Sequence, residues 1–135
     1  MTKKAELLAP AGDLPSLKAA LLAGADAVYL GGKHFGARAF AQNFDEQALW
    51  FARRVTRALD RKLYITLNTL VFDREFSFLD KVLDFYEILQ PDALILQDLG
   101  VIARLNDRKS RIPRHLSTQG AWHGLGGKEL LQELG

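Results

Sequence analysis

The sequence predicts an α/β fold: the first five βα units of a (β/α) TIM-type barrel, left incomplete. Three observations carry that prediction. Short apolar runs recur five times, each followed by a longer segment, most of them with helical periodicity. The runs are continuous rather than alternating, which implies parallel strands buried on both faces and covered by helices. Uninterrupted βα units suit either a doubly wound sheet or a barrel. No Gly-x-Gly-x-x-Gly turn follows the first run, so the usual dinucleotide fingerprint is missing and the barrel is favoured. A complete barrel needs eight units and about 250 residues. With 135 residues, the chain reads as one partial barrel domain over 1–135, the N-terminal portion of a larger one.

The elements follow in order. Glu6 to Ala9 is the first strand, ended by a Pro-Ala-Gly-Asp turn. Asp13 caps the next helix and Pro15 is tolerated in its first turn. Leu14, Leu17 and Leu21 fall at helical spacing, and Gly24 suits the helix end. Ala27 to Leu30 is the second strand, stopped by Gly31-Gly32. A loop from about Lys33 to Phe44 leads to Asp45 as a cap, and Leu49, Ala52, Val55 and Leu59 mark the inward face of the second helix. Leu63 to Leu67 is the third strand, with a helix over about Glu75 to Gln90 behind it. Pro91-Asp92 punctuates before the fourth strand, Ala93 to Leu96. A short helix at about Gly100 to Asp107, a fifth strand at about Arg114 to Ser117 and a last helix at about Lys128 to Leu134 complete the reading.

Composition excludes more than it assigns. There is no cysteine, so these residues cannot form a disulfide scaffold, a thiolate zinc site or a cysteine-ligated iron–sulfur centre. The N-terminus lacks the apolar core and cleavage site of a signal peptide, and no apolar run approaches a membrane span. A soluble, cytoplasmic protein with no membrane partner is expected. The formal net charge of +2 permits an acidic partner such as RNA without requiring one.

Chemistry in such barrels sits at the C-terminal ends of the strands. The polar residues expected there are Asp13, then Gly31, Gly32 and Arg38, then Asn68 and Thr69, then Gln97 and Asp98, then Ser117, Thr118 and Gln119, with His123 slightly beyond. Asp13 and Asp98 also precede helices, where capping accounts for an aspartate as well as catalysis does. Gly31-Gly32 reads as a tight turn or as room for a ligand. Asn68-Thr69 and Ser117 to Gln119 either line the site or hydrogen-bond the structure, since buried amides and hydroxyls need partners. His34 and His123 lie near strand ends and His115 inside the fifth strand; no metal-binding spacing and no Gly-x-Ser-x-Gly elbow occurs. Arg104, Arg108, Lys109, Arg111 and Arg114 stand against one acid, Asp107. They form either an RNA phosphate track or a solvated helix end that complements the helix dipole. Phe35, Phe40, Phe44, Trp50 and Phe51 read as packing of a loop and helix, or as base-stacking groups.

Six segments in order resemble one family. They are Glu6-Leu-Leu-Ala-Pro-Ala-Gly-Asp13, Gly24-Ala-Asp-Ala-Val-Tyr-Leu-Gly-Gly32, Phe35-Gly-Ala-Arg38 with Asn43-Phe44, Leu67-Asn-Thr-Leu70, Asp92-Ala-Leu-Ile-Leu-Gln-Asp98, and Leu116-Ser-Thr-Gln119. Together they are similar to the amino-terminal region of the collagenase-like peptidase family, whose catalytic type is unassigned. The resemblance implies a role in hydroxylating transfer RNA, a ribosomal RNA cytidine or a quinone, or else the hydrolysis for which the family was named. It also implies that an iron–sulfur cluster, in a full-length protein, would be held by cysteines beyond Gly135. His123 matches a family position, whereas the surrounding Gly120 to Gly127 departs from the pattern.

The leading expectation is therefore an N-terminal fragment, without the redox centre, of a protein acting in RNA-base or quinone hydroxylation. Two alternatives stand beside it: a peptidase, for which no nucleophile–base pair or metal set is present, and a non-catalytic half-barrel that self-associates or binds a partner through open sheet edges.

Overall fold

The computed structural model describes residues 5–31, 45–67, 76–96 and 98–116. Nine elements alternate along them: β1 (Leu8–Pro10), α1 (Leu14–Leu22), β2 (Ala27–Gly31), α2 (Glu46–Ala58), β3 (Lys62–Leu67), α3 (Phe76–Leu89), β4 (Ala93–Leu96), α4 (Leu99–Asp107) and β5 (Arg114–Leu116). The loop expected at 33–44 and the helix expected at 128–134 lie outside the described residues.

The strands form one parallel sheet in the order β1-β2-β3-β4-β5. Each strand lies beside its predecessor, so the order never reverses as it does in a doubly wound sheet. Crossovers of one hand then place successive helices on one face. The packing agrees. Leu17 and Leu21 of α1, Leu49 and Ala52 of α2, Leu79, Leu83, Tyr86 and Leu89 of α3, and Val101, Ile102 and Leu105 of α4 share a core with Val28, Leu30, Leu63, Ile65, Leu67, Leu94 and Leu96. The alternate strand positions Ala27, Tyr64 and Ala93, with Tyr29 and Ile95 beside them, form a second cluster that contains no helical residue among those described. The central strands are thus buried on both faces, as continuous apolar runs require.

Local chemistry ends each helix. Asp13, Asp45 and Asp98 are N-caps, accepting from the amides of Ser16, Ala48 and Gly100. Gly24 adopts φ 93° after α1, while Asp60, Gln90 and Lys109 take φ 56° after α2, α3 and α4. After α1, α2 and α4 the next amide returns five residues: Ala25 to the Ala20 carbonyl, Arg61 to Thr56 and Ser110 to Leu105. This left-handed stop turns each helix into the following strand.

Two expectations shift. β1 runs Leu8–Pro10 rather than from Glu6, and Pro10, with no amide hydrogen, is tolerated because β1 has a partner on one side only among the described strands. On α2, Leu59 is 52% exposed as the C-cap residue, and the buried stripe is Leu49, Ala52, Arg53 and Thr56. A charged residue and a hydroxyl complete that inward face because each finds a hydrogen-bond acceptor there, although Arg53 Nε has none. Thr56 Oγ1 donates to the Ala52 carbonyl at 2.8 Å, and Arg53 reaches an aspartate described below.

Candidate functional site

The described residues separate two ends of the sheet with different chemistry. At the N-terminal ends, one arrangement occurs twice. Asp26 lies beside Leu7 just ahead of the β1–β2 ladder: its amide donates to the Leu7 carbonyl (2.9 Å) and its carboxylate accepts from the Leu7 amide (2.8 Å). Asp92 repeats this with Leu63, at 2.8 Å and 2.7 Å. Each carboxylate also holds an arginine. Asp26 pairs with Arg61 at 3.2 Å, both about one-third exposed. Asp92 pairs with Arg53 at 2.9 Å, where the arginine side chain is 4% exposed. Arg53 donates further to the Gln90 carbonyl at 3.2 Å. These aspartates are register clips, and sequence reasoning missed them because it searched only the opposite end. A signal was present: Asp26-Ala-Val-Tyr-Leu30 and Asp92-Ala-Leu-Ile-Leu96 share a pattern.

At the C-terminal ends, Asp13 and Asp98 are the two candidates among the described residues. Both are half-buried helix caps. Asp13 Oδ1 accepts from the Ser16 amide at 2.8 Å, and hydrogen bonds from the Ser16 side chain and backbone hold its carboxyl below the usual carboxylate range. Asp13 is consequently an ionised acceptor at neutral pH, unsuited to donating a proton. Asp98 Oδ1 accepts from Gly100 at 2.7 Å. Gly31 ends β2 opposite Thr66. Arg38, Asn68, Thr69, Gln97, Ser117, Thr118, Gln119 and His123 lie outside the described residues, so the structure neither joins nor separates them.

Between the two ends lies the face that carries no helix among the described residues. Tyr64 spans it, 5% exposed, against Ala27 and Ala93, whose small side chains leave room for the ring. Its hydroxyl donates to Glu6 Oε1 at 2.9 Å, and Lys62 Nζ stands 3.5 Å from Glu6 Oε2. Burial, with the Glu6 contact adding to it, pushes the Tyr64 phenol up to about 12. The His115 ring meets Tyr64 edge-on, 4.9 Å between centroids.

The basic segment is partly engaged by α3. Arg104 Nε donates to Asp80 Oδ1 at 2.8 Å, a second Arg104 nitrogen donates to Asp80 Oδ2, and Arg108 bridges Asp80 and Asp84. The bonds from Arg104 hold the Asp80 carboxyl below its ordinary value. Arg114 Nη2 donates to the Ser110 carbonyl at 3.2 Å. Lys109 and Arg111 are exposed. Three of the five cations therefore bond within the protein, two of them as an interhelix clamp rather than a solvated helix end. Trp50 packs edge-on against Phe85 at 6.1 Å, which makes it a contact between α2 and α3.

No group of three or more His, Cys, Asp or Glu positioned to hold a metal occurs among the described residues. The cysteine-free sequence offers no thiolate to the cluster that the resemblance implies. No described helix is long and apolar enough to cross a membrane.

A parallel α/β protein, with its described helices packed on one face and aspartate clips at the N-terminal ends of its strands, is the class these features define. Residues 12–135 match peptidase family U32, and the chain belongs to that family. It is 42% identical over 115 residues to the tRNA hydroxylation protein P of Helicobacter pylori, covering 84% of this chain and 27% of that protein. It is 38% identical over 114 residues to an uncharacterized protease of Methanocaldococcus jannaschii, covering 84% and 28%. Against the 23S rRNA 5-hydroxycytidine synthase of Escherichia coli the identity is 41% over 101 residues, covering 72% and 15%. The chain thus spans about a quarter of the length of the first two relatives. No solved structure matches it significantly.

Proposed function

We propose that this chain is the N-terminal part of a (β/α) barrel in a cytoplasmic protein that hydroxylates an RNA base. The observation that carries the reading is the identity of about two residues in five with relatives named for tRNA and ribosomal RNA hydroxylation. The barrel is supported by strand order without reversal, by the described helices packing on one face and by an opposite face that buries Ala27, Tyr64 and Ala93. The strands that close the barrel, and the thiolates of an iron–sulfur cluster, would come from the three-quarters of the relatives' length that these residues do not span.

In this reading the chain's own residues bind and orient. Asp13 and Asp98 fix where α1 and α4 begin, and so where the loops after β1 and β4 lead. Arg38, Asn68, Thr69, Gln97, Ser117, Thr118, Gln119 and His123 are the proposed substrate contacts, and the exposed Lys109 and Arg111 offer charge to an RNA backbone.

The test is nucleoside mass spectrometry of tRNA and ribosomal RNA from cells lacking the full-length gene and from the same cells complemented. Loss and return of one hydroxylated nucleoside is the expected result; unchanged profiles in both RNA classes overturn the proposal. The protease name of one relative favours peptide hydrolysis as a second reading. Gelatin cleavage by protein freed of contaminating proteases tests it. A third reading, self-association, draws on the one-sided pairing of β1 and β5 among the described strands. Size that depends on concentration would support it, and a monomer at all concentrations would end it.

A further inference from the structure

His115 sits inside β5 rather than beyond its end. The register places Gly31, Thr66, Ile95 and His115 in one row across β2, β3, β4 and β5. This row alternates with the helix-facing Leu30, Ile65, Leu67, Leu94 and Leu96, so it belongs to the opposite face. Its ring contact with Tyr64, a member of the cluster on that face, places the imidazole there independently. The row lies at the C-terminal end of β2 and one residue short of the ends of β3, β4 and β5, directly beneath the region where parallel α/β proteins bind ligands.

Three properties bear on His115. Among the described residues it is exposed at the β5 edge of the sheet, whereas Tyr64 beneath it is buried. It is held rather than loose, because its support is itself fixed: the Tyr64 ring lies against Ala27 and Ala93 and its hydroxyl is tied to Glu6. Its row also holds a polar residue two strands away, beyond Ile95. Thr66 Oγ1 donates to the Leu30 carbonyl at 3.3 Å, which leaves the threonine oxygen able to accept from a ligand. A neutral imidazole carries one donor and one acceptor nitrogen, matching the alternating donors and acceptors on the edge of a planar nitrogen heterocycle.

We propose that His115 is a substrate-contacting residue that takes the edge of a pyrimidine ring, and that Tyr64 is its positioning residue. This deepens the reading of RNA-base hydroxylation and rests on it for the identity of the heterocycle. Contact, and no proton transfer, is assigned to the imidazole.

The test uses the full-length protein and two readouts. The first is the modification rate of His115 by diethyl pyrocarbonate, mapped by peptide mass spectrometry, with and without uridine or cytidine. Protection by either nucleoside, retained in Tyr64→Phe and lost in Tyr64→Leu, is the expected result; an unchanged rate with both nucleosides overturns the assignment whatever the protein catalyses. The second is nucleoside hydroxylation by His115→Phe, which keeps a planar ring against Tyr64. A rise of about tenfold in KM at unchanged melting temperature is expected from losing one such hydrogen-bonding contact. Unchanged kinetics overturn the assignment while leaving the hydroxylase reading intact. Nucleoside protection without hydroxylation by the wild type would remove the hydroxylase reading and keep His115 as a heterocycle contact.

Discussion

Asp92→Ala tests the register clips where they are most costly to break. Asp92 accepts two bonds, from the Leu63 amide at 2.7 Å and from Arg53 at 2.9 Å. Removing it leaves a guanidinium that is 4% exposed with one acceptor, the Gln90 carbonyl at 3.2 Å. A buried charge stripped of its partner costs about 3–5 kcal/mol; the 37% exposure of Asp92 admits water and reduces this to about 3 kcal/mol. Asp26→Ala makes the same deletion at a site where Arg61 is 34% exposed. There the arginine rehydrates and the loss is about 1 kcal/mol, most of it the Leu7 hydrogen bond. Urea denaturation of the two variants, followed by tryptophan fluorescence, should therefore separate them by about 2 kcal/mol. A sharper sign follows from the same reasoning. Because the orphaned charge is the main cost, Arg53→Met combined with Asp92→Ala should be more stable than Asp92→Ala alone. Equal losses for Asp26→Ala and Asp92→Ala, or a double variant weaker than the single one, would refute the account.

Lys109→Gly should stabilise by about 1 kcal/mol in the same assay, since φ 56° suits glycine better than a residue with a Cβ. Leu94→Ala, fully buried against the helices, should destabilise by about 2–5 kcal/mol. Tyr64→Phe removes one hydrogen bond to Glu6 and should cost about 1 kcal/mol while preserving the ring contact with His115. For Asp13, the folded pKa lies below the ordinary 3.8 through the bonds from Ser16. Its stabilisation is therefore complete above the unfolded-state value and is lost as pH falls through the lower, folded one. The stability difference between wild type and Asp13→Ala should shrink across that acidic window and stay constant at neutral pH.

The strands and helices were legible where apolar content alone decides them. Ala93 to Leu96 appeared as read, and Ala27 to Leu30 gained only Gly31, because four consecutive apolar residues have few places to go except between two layers. The stripe of α2 was misjudged at Leu59 and at Arg53 because hydrophobic periodicity treats a charge as an outward residue. Acceptors in the turn between α3 and β4, the Asp92 carboxylate (39 residues away) and the Gln90 carbonyl, let Arg53 turn inward. The same blindness to distant partners applies to Arg104 and Arg108, whose acids lie on α3. Asp13 and Asp98 were legible as caps because that bond is local, reaching two or three residues ahead. The register that turns His115 toward Tyr64 depends on a ladder between strands and has no local sequence signature.

The clips at Asp26 and Asp92 recur two strands apart, binding β1 to β2 and β3 to β4 at the ends where those strands begin. A one-residue slip of a parallel strand would turn every inward side chain outward, and fastening the pair at its origin forbids that slip. Loops at the far end can then be rewritten in length and chemistry without disturbing alignment. The sheet behaves like a row of piano strings pinned at one bridge. Such an economy of anchoring would let a single ancestral frame carry several chemistries, with changes at the free ends altering what is bound and changes at the pinned ends altering only whether the protein folds.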